Sequence, residues 1–264
     1  MSRLLLLFLN TITLIAVIIV NGLAGSGQIG NKSVGEVSRA YDTLITPSAY
    51  AFSIWGLIYL MLTAFVIYQW VTYFRKNNQW IIDKTGLYFT IANLVNIGWL
   101  FLWLNEYIGL SVIVMFILLA SLLTLVFRLD LEKKDEPVRI IFFVWWPLAI
   151  YIGWIIIASV TNVAVFLVSI GWEGFPLTSQ IWTIFMVLVA MGIYLFMIFS
   201  RNLRESAVVG IWALIAIAVK QYPVNTGIAV TAIVATVVLL VATLYHGYKN
   251  RTTAPLMKLK RGEF

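Results

Sequence analysis

Residues 46–59 read TPSAYAFSIWGLIY. The segment closes a long glycine-rich stretch and opens a strongly apolar helix. Pro47 fits a helix start, because the N–H it lacks would have no partner in the first turn. Phe52, Trp55 and Tyr59 are spaced i, i+3, i+7 and therefore share one helix face. Lipid asks only for apolar side chains from a spanning helix. Three aromatics on one side, just after a proline, fit either a belt at the bilayer surface or the wall of a cavity.

Apolar runs of about 20 residues recur on both sides of this segment, along all 264 residues. The chain is 62% hydrophobic and 11% charged, which leaves no room for a soluble domain. Strict polar–apolar alternation is missing, so a β-barrel is excluded. The fold class is all-α, a polytopic helical membrane protein, in which every backbone polar group is satisfied inside its own helix. Cysteine is absent and His246 is the one histidine, which excludes disulfides, thiolate metal sites and histidine-rich metal sites.

Eight spans are read, at 4–24, 50–74, 86–104, 108–127, 139–168, 180–199, 206–219 and 224–245. With the N-terminus in the cytoplasm, three of the 18 basic residues, Lys32, Arg39 and Lys220, fall outside, and all the others fall inside. That asymmetry is what the positive-inside rule requires. It also explains the net charge of +7 through contact with anionic headgroups, with no role for nucleic acid. Both termini are expected on the cytoplasmic side of the cytoplasmic membrane. The run 206–219 is short for a span, about 21 Å at 1.5 Å per residue, and a re-entrant segment is the alternative. The first span is read as a retained helix rather than a signal peptide. Most connections are short. The exception is the first outer segment, residues 21–49, whose length suggests a lid or binding loop.

None of the 11 acidic residues, Glu173 in an outer segment included, falls in the middle of a span. Proton relays and ion paths usually need such groups, so a proton-coupled pump or ion channel is disfavoured. No serine–histidine–aspartate set can be built either, and no catalytic residue is assigned. The spans instead carry neutral polarity beside tryptophan. Asn96, Trp99 and Trp103 share a face of the third span, with Asn93 one turn earlier. Trp154, Ala158 and Asn162 share a face of the fifth, where Ala158 leaves a notch between indole and amide. Two readings stay open. The amides hydrogen-bond across helices and hold the bundle, or they orient a flat ligand between tryptophan walls.

These motifs together resemble the TspO/MBR family, the tryptophan-rich sensory proteins and the mitochondrial translocator protein. TPSAYAFSIWGLIY is similar to the family's entry into its second helix. Asn96-x-x-Trp99 with the short turn at 105–109 is similar to its third helix and hairpin. Trp154-x-x-x-Ala158-x-x-x-Asn162 is similar to its fifth-helix signature. The resemblance covers residues 1–168 and implies a five-helix bundle there. Helices at 169–246 and a basic tail at 247–264 would then be additions. It further implies a pocket capped by the first outer loop, with Pro47, Phe52, Trp55, Asn96, Trp99, Trp154, Ala158 and Asn162 as its ligand-binding residues. The implied ligands are porphyrins or lipid-like molecules, and the implied assembly is a homodimer. Tyr50 and Leu102 differ from residues common in the family at those places.

The expected function is a membrane receptor or sensor that binds a hydrophobic small molecule, with no cofactor and no metal. A small-molecule transporter is the alternative. Light-driven breakdown of bound porphyrin, suggested for the family, is the single enzymatic reading, and side-chain chemistry in the sequence gives it little support.

Overall fold

The computed structural model describes residues 1–172 and 174–263, so Glu173 lies outside the described residues. Every regular element among them is helical. In order they are α1 (Arg3–Gly25), α2 (Val34–Ala40), a 3-10 turn (Ala49–Ser53) running into α3 (Ile54–Arg75), α4 (Trp80–Thr85), α5 (Tyr88–Leu104) and α6 (Ile108–Arg128). Then come α7 (Val138–Ile140), a π-helical turn (Ile141–Trp145), α8 (Trp146–Ser169), α9 (Ser179–Arg201), α10 (Arg204–Gln221) and α11 (Thr226–Lys249). A 3-10 turn (Arg251–Thr253) and α12 (Pro255–Lys260) end the chain.

Six helices are long and apolar enough to cross a membrane: Arg3–Gly25, Ala49–Arg75, Ile108–Arg128, Val138–Ser169, Ser179–Arg201 and Thr226–Lys249. The shorter α5 is also apolar. The protein is therefore a polytopic helical membrane protein, and its exposed belt of leucine, isoleucine, valine and phenylalanine faces lipid. The central helix is Val138–Ser169, whose most apolar stretch is 78% buried against 33% to 39% for the other five. Its start is irregular for a local reason. Pro147 has no N–H to give the carbonyl four residues back, and its ring crowds that turn; the π-helical turn absorbs the misfit.

α10 explains why residues 206–219 look weak as a sequence. The helix itself is longer, 18 residues, or about 27 Å. Ser206, Ala207, Gly210, Ala213, Ala216 and Ala218 are buried in it, small residues that allow close helix contacts, while Arg204, Glu205, Lys220 and Gln221 make its two ends polar and shorten the apolar run. Gly153 of α8 lies against the Ser206 backbone, and Gly210 lies under the Tyr194 ring. The Ser206 hydroxyl donates to the Ala149 carbonyl at 2.7 Å. One continuous apolar core runs from α1 through α11.

Ion pairs sit at the two ends of the bundle. Arg3–Asp83, Lys84–Asp130 and Lys258–Asp135 lie at the end that carries both termini. Lys32–Glu106 and Lys220–Asp42 lie at the opposite end. Arg3–Asp83 and Lys32–Glu106 are exposed on both sides and contribute little stability individually. Between the ends, α1, α3 and α5 are joined by neutral side chains. Asn10 donates to Gln69 at 3.1 Å, Thr90 donates to Asn10 at 2.8 Å, Trp70 donates to Thr11 at 2.9 Å and Asn93 donates to Thr13 at 3.2 Å. For Asn93 the structural reading of the amides is thus the observed one.

Candidate ligand-binding site

The segment 46–59 does not start its helix at the proline. Pro47 precedes the N-cap, Ser48, and the first helical residues form the 3-10 turn Ala49–Ser53. Ser48 does not cap that turn. Its N–H and its hydroxyl both donate to the Ala216 carbonyl of α10, at 3.2 and 3.0 Å. Trp212 of α10 donates its indole N–H to Ala51 at 3.1 Å and meets the Tyr50 ring edge-on at 5.2 Å. Tertiary bonds to α10 therefore replace the local cap. The notch made by α10 sets the angle at which Phe52 and Trp55 enter the bundle.

Those two side chains face α8. The Phe52 and Trp154 rings meet edge-on at 5.8 Å, and Trp55 meets Trp154 at 6.4 Å and Tyr151 at 6.0 Å. Trp55 stacks on Tyr59 at 5.4 Å, as the i, i+4 spacing allows. From α5, Trp99 stacks on Trp103 at 5.3 Å. Together these rings enclose a small cavity of about 50 Å³. Pro47, Phe52, Trp55, Trp99, Trp154, Ala158 and Asn162 all line it. It adjoins a chamber of about 490 Å³ that shares Val34, Phe52, Trp55 and Trp99 and runs on to Tyr59. The chamber's far wall is the last turns of α1, at Ile18, Asn21, Gly22 and Gly25; the two glycines are exposed, so this edge is open.

Asn96 is the one expected site residue that does not line the cavity. Its amide donates to the Tyr151 hydroxyl at 2.9 Å and accepts from Asn21 at 3.3 Å, so it joins α1, α5 and α8 behind the wall. Asn162 lines the cavity with its amide already engaged. Its oxygen accepts from the Trp99 indole at 2.8 Å, and its nitrogen donates to the Ser111 hydroxyl at 2.9 Å. The tryptophan wall is thereby held by an amide rather than by packing alone. Replacing Asn162 with alanine should leave the Trp99 indole N–H without its partner, while the Ser111 hydroxyl keeps its bond to the Ile108 carbonyl, and cost about 1–3 kcal/mol. Thermal unfolding in detergent is the check, and an unchanged midpoint would show the network to be idle.

With the amides engaged, other groups face the space. Among the described residues no hydrogen bond engages the Trp154 indole N–H, the Thr161 hydroxyl or the Ser38 hydroxyl, and all three residues line the cavity. Ser38 and Val34 come from α2, and Met115 comes from α6. Sequence spacing missed these. Thr161 is the neighbour of Asn162 in the fifth-span motif and was within reach of it. Val34 and Ser38 carry no signal, because only the folded loop brings them over the cavity.

That loop contains α2, started by a capping box in which Ser33 and Glu36 satisfy each other's backbone. Gly30 holds a left-handed conformation where the chain passes close to the Leu104 carbonyl. The loop is fastened to both halves of the bundle. The Trp103 indole donates to the Val34 carbonyl at 3.1 Å, and Tyr41 donates to Glu106 at 3.0 Å beside the Lys32–Glu106 pair. On the other side Lys220 donates to Asp42 at 3.0 Å and Gln221 donates to the Leu44 carbonyl at 2.8 Å. The Lys32 ammonium and the Tyr41 hydroxyl hold the Glu106 carboxyl below the usual carboxylate range. Its contribution is therefore present at neutral pH and is lost as pH falls below that range.

The site lies within the reach of a family match. The family model described as TSPO-like protein matches residues 7–245. The chain belongs to the TSPO-like family. The match takes in α9, α10 and α11, which the motif resemblance over residues 1–168 did not reach. No curated protein and no solved structure matches the chain. Membership in the TSPO-like family supports a membrane sensing, binding or transport role in general terms.

Proposed function

We propose that this TSPO-like protein is a membrane receptor for a flat hydrophobic molecule, of tetrapyrrole or lipid-like character. The ligand sits in the chamber beneath α2 with one edge in the tryptophan-walled cavity. The observation that carries this reading is the convergence of α2, α3, α5, α6 and α8 on one aromatic-lined space. The cavity alone, at about 50 Å³, is too small for such a ligand. The adjoining chamber, at about 490 Å³, is within the roughly 300–1,000 Å³ common for small-molecule sites. Binding rests on stacking against Trp55, Trp99 and Trp154, with the Trp154 N–H and the Thr161 and Ser38 hydroxyls as the polar handles. No covalent step is involved. The orientation with both termini in the cytoplasm follows from the charge asymmetry and puts the lid on the outer side.

The lid gives a kinetic prediction. Glu106→Gln at neutral pH should raise the ligand dissociation rate severalfold, because it removes the charge that Lys32 and Tyr41 answer. The gap between wild type and variant should close as pH falls below the carboxylate range. Stopped-flow release of protoporphyrin IX measures both. Equal rates for the two proteins at neutral pH would remove the lid from the account. Receptor and transporter separate in proteoliposomes: the receptor reading expects saturable binding with no net flux of ligand, and sustained flux would favour transport.

A further inference from the structure

α11 has 24 residues and is therefore about 36 Å long, more than the roughly 30 Å hydrocarbon core it crosses. Its last turns emerge at headgroup level, where Tyr245 and Tyr248 are exposed, as aromatics at the end of a span usually are. The 3-10 turn Arg251–Thr253 and α12 (Pro255–Lys260) follow directly and start from the same level.

α12 turns the wrong residues outward for a helix in water. At about 100° per residue, Leu256, Leu259 and Lys260 share one face, and Lys258 lies on the opposite one. The lysine is the buried side. Lys258 is 2% exposed, pairs with Asp135 and donates to the Glu136 carbonyl. A second tie holds the chain just beyond the helix, where the Glu263 carbonyl accepts from the Val138 N–H at 3.1 Å. With its polar side fastened to the segment between α6 and α7, α12 presents Leu256, which is 75% exposed, and Leu259, with Met257 beside them. The charge around this apolar face is positive. Lys249, Arg251 and Lys260 are exposed, and among the described residues none of them forms an ion pair with a carboxylate. The carboxylates of Asp135 and Glu263 are engaged by Lys258 and Arg261. An apolar face rimmed by unpaired cations, at headgroup level, is the pattern of a helix that lies in a bilayer surface.

We propose that the outward face of α12, with Lys249, Arg251 and Lys260 around it, docks on the anionic phospholipids of the bilayer that holds the protein. Leu256 and Leu259 enter the boundary between headgroups and acyl chains, and the three cations meet the lipid phosphates. In the orientation proposed above this is the cytoplasmic leaflet, where anionic lipid is concentrated.

The sequence holds no cysteine, so a single introduced one can carry a label. Met257→Cys with a bimane label is placed in nanodiscs whose lipids have brominated acyl chains. One set of discs is phosphatidylcholine alone, and a second also carries phosphatidylglycerol. Quenching at residue 257 should be severalfold stronger in the second set and should fall as salt screens the cations. Leu256→Ser combined with Leu259→Ser should return it to the level of phosphatidylcholine alone. Arg251→Gln combined with Lys260→Gln should remove the difference between the two sets. Val241→Cys, on the exposed side of α11 within the span, is the control and should be quenched alike in every case. Equal quenching at residue 257 in the two sets, or quenching that survives the serine pair while the control is unchanged, would overturn the proposal. So would shielding of residue 257 from iodide in detergent that grows with protein concentration, since a second copy of the chain would then cover the face. All these readouts are independent of porphyrin binding at the aromatic site.

Discussion

Replacing Trp154 with leucine should weaken protoporphyrin IX binding at least tenfold. Trp154 is 3% exposed, and it is the ring on which both Phe52 and Trp55 converge. Its N–H is one of the three polar groups that face the cavity unengaged. Leucine fills part of the space, keeps the site apolar and removes both the stacking surface and the donor. An aromatic contact beyond its buried area contributes about 0.5–1.5 kcal/mol, and a hydrogen bond about as much again, so the loss reaches the tenfold level of about 1.4 kcal/mol. Equilibrium titration in detergent measures it. Asn96→Ala should have a smaller effect on affinity, because Asn96 acts through Tyr151 and Asn21 and does not line the cavity. Equal losses from the two variants would mean that the wall is not where the ligand rests.

Gly210→Ala should lower stability by about 1–3 kcal/mol, the usual cost of overpacking a tight core. A Cβ at residue 210 would stand 2.5 Å from Tyr194 Cε2. Tyr194 has no room to move: it is fully buried, and its hydroxyl donates to the Gly153 carbonyl at 2.7 Å. The added methyl must therefore push α10 away from α8 and α9. Since α10 also holds Ser48 and Ala51, the same change should loosen the entry of α3 and weaken ligand binding at a distance. Urea or thermal unfolding in detergent gives the first effect and titration gives the second. Stability unchanged from wild type would show that α10 sits less tightly than its glycine contacts require.

Much of this arrangement was legible in the sequence. The apolar runs gave the helices, and the charge asymmetry matches the grouping of Arg3, Lys84 and Lys258 at one end and Lys32 and Lys220 at the other. The periodicity of Trp154, Ala158 and Asn162 put all three on a single wall. Two things were not legible, for physical reasons. The start of α3 depends on a carbonyl 168 residues away, so local rules placed Pro47 inside the helix when it stands just outside. The amides were ambiguous because a pattern records that an asparagine faces a neighbour but not whether its hydrogen bonds are already spent. Asn162 spends them on Trp99 and Ser111, and the polar handles pass to Trp154, Thr161 and Ser38. The role of α10 was hidden by its composition. Arg204 and Glu205 at one end and Lys220 and Gln221 at the other shorten its apolar run and thereby disguise a longer helix.

The central claim, that a flat ligand lies against the walls formed by α3, α5 and α8, is tested most directly by letting a bound porphyrin mark its own surroundings. Protoporphyrin IX bound below one equivalent and briefly illuminated should oxidise Trp55, Trp99 and Trp154 first, as read by peptide mass spectrometry. A lipid-facing groove lined by Trp146 and Trp212 offers the competing location. Early oxidation confined to Trp146 and Trp212, with Trp55, Trp99 and Trp154 intact, would contradict the account.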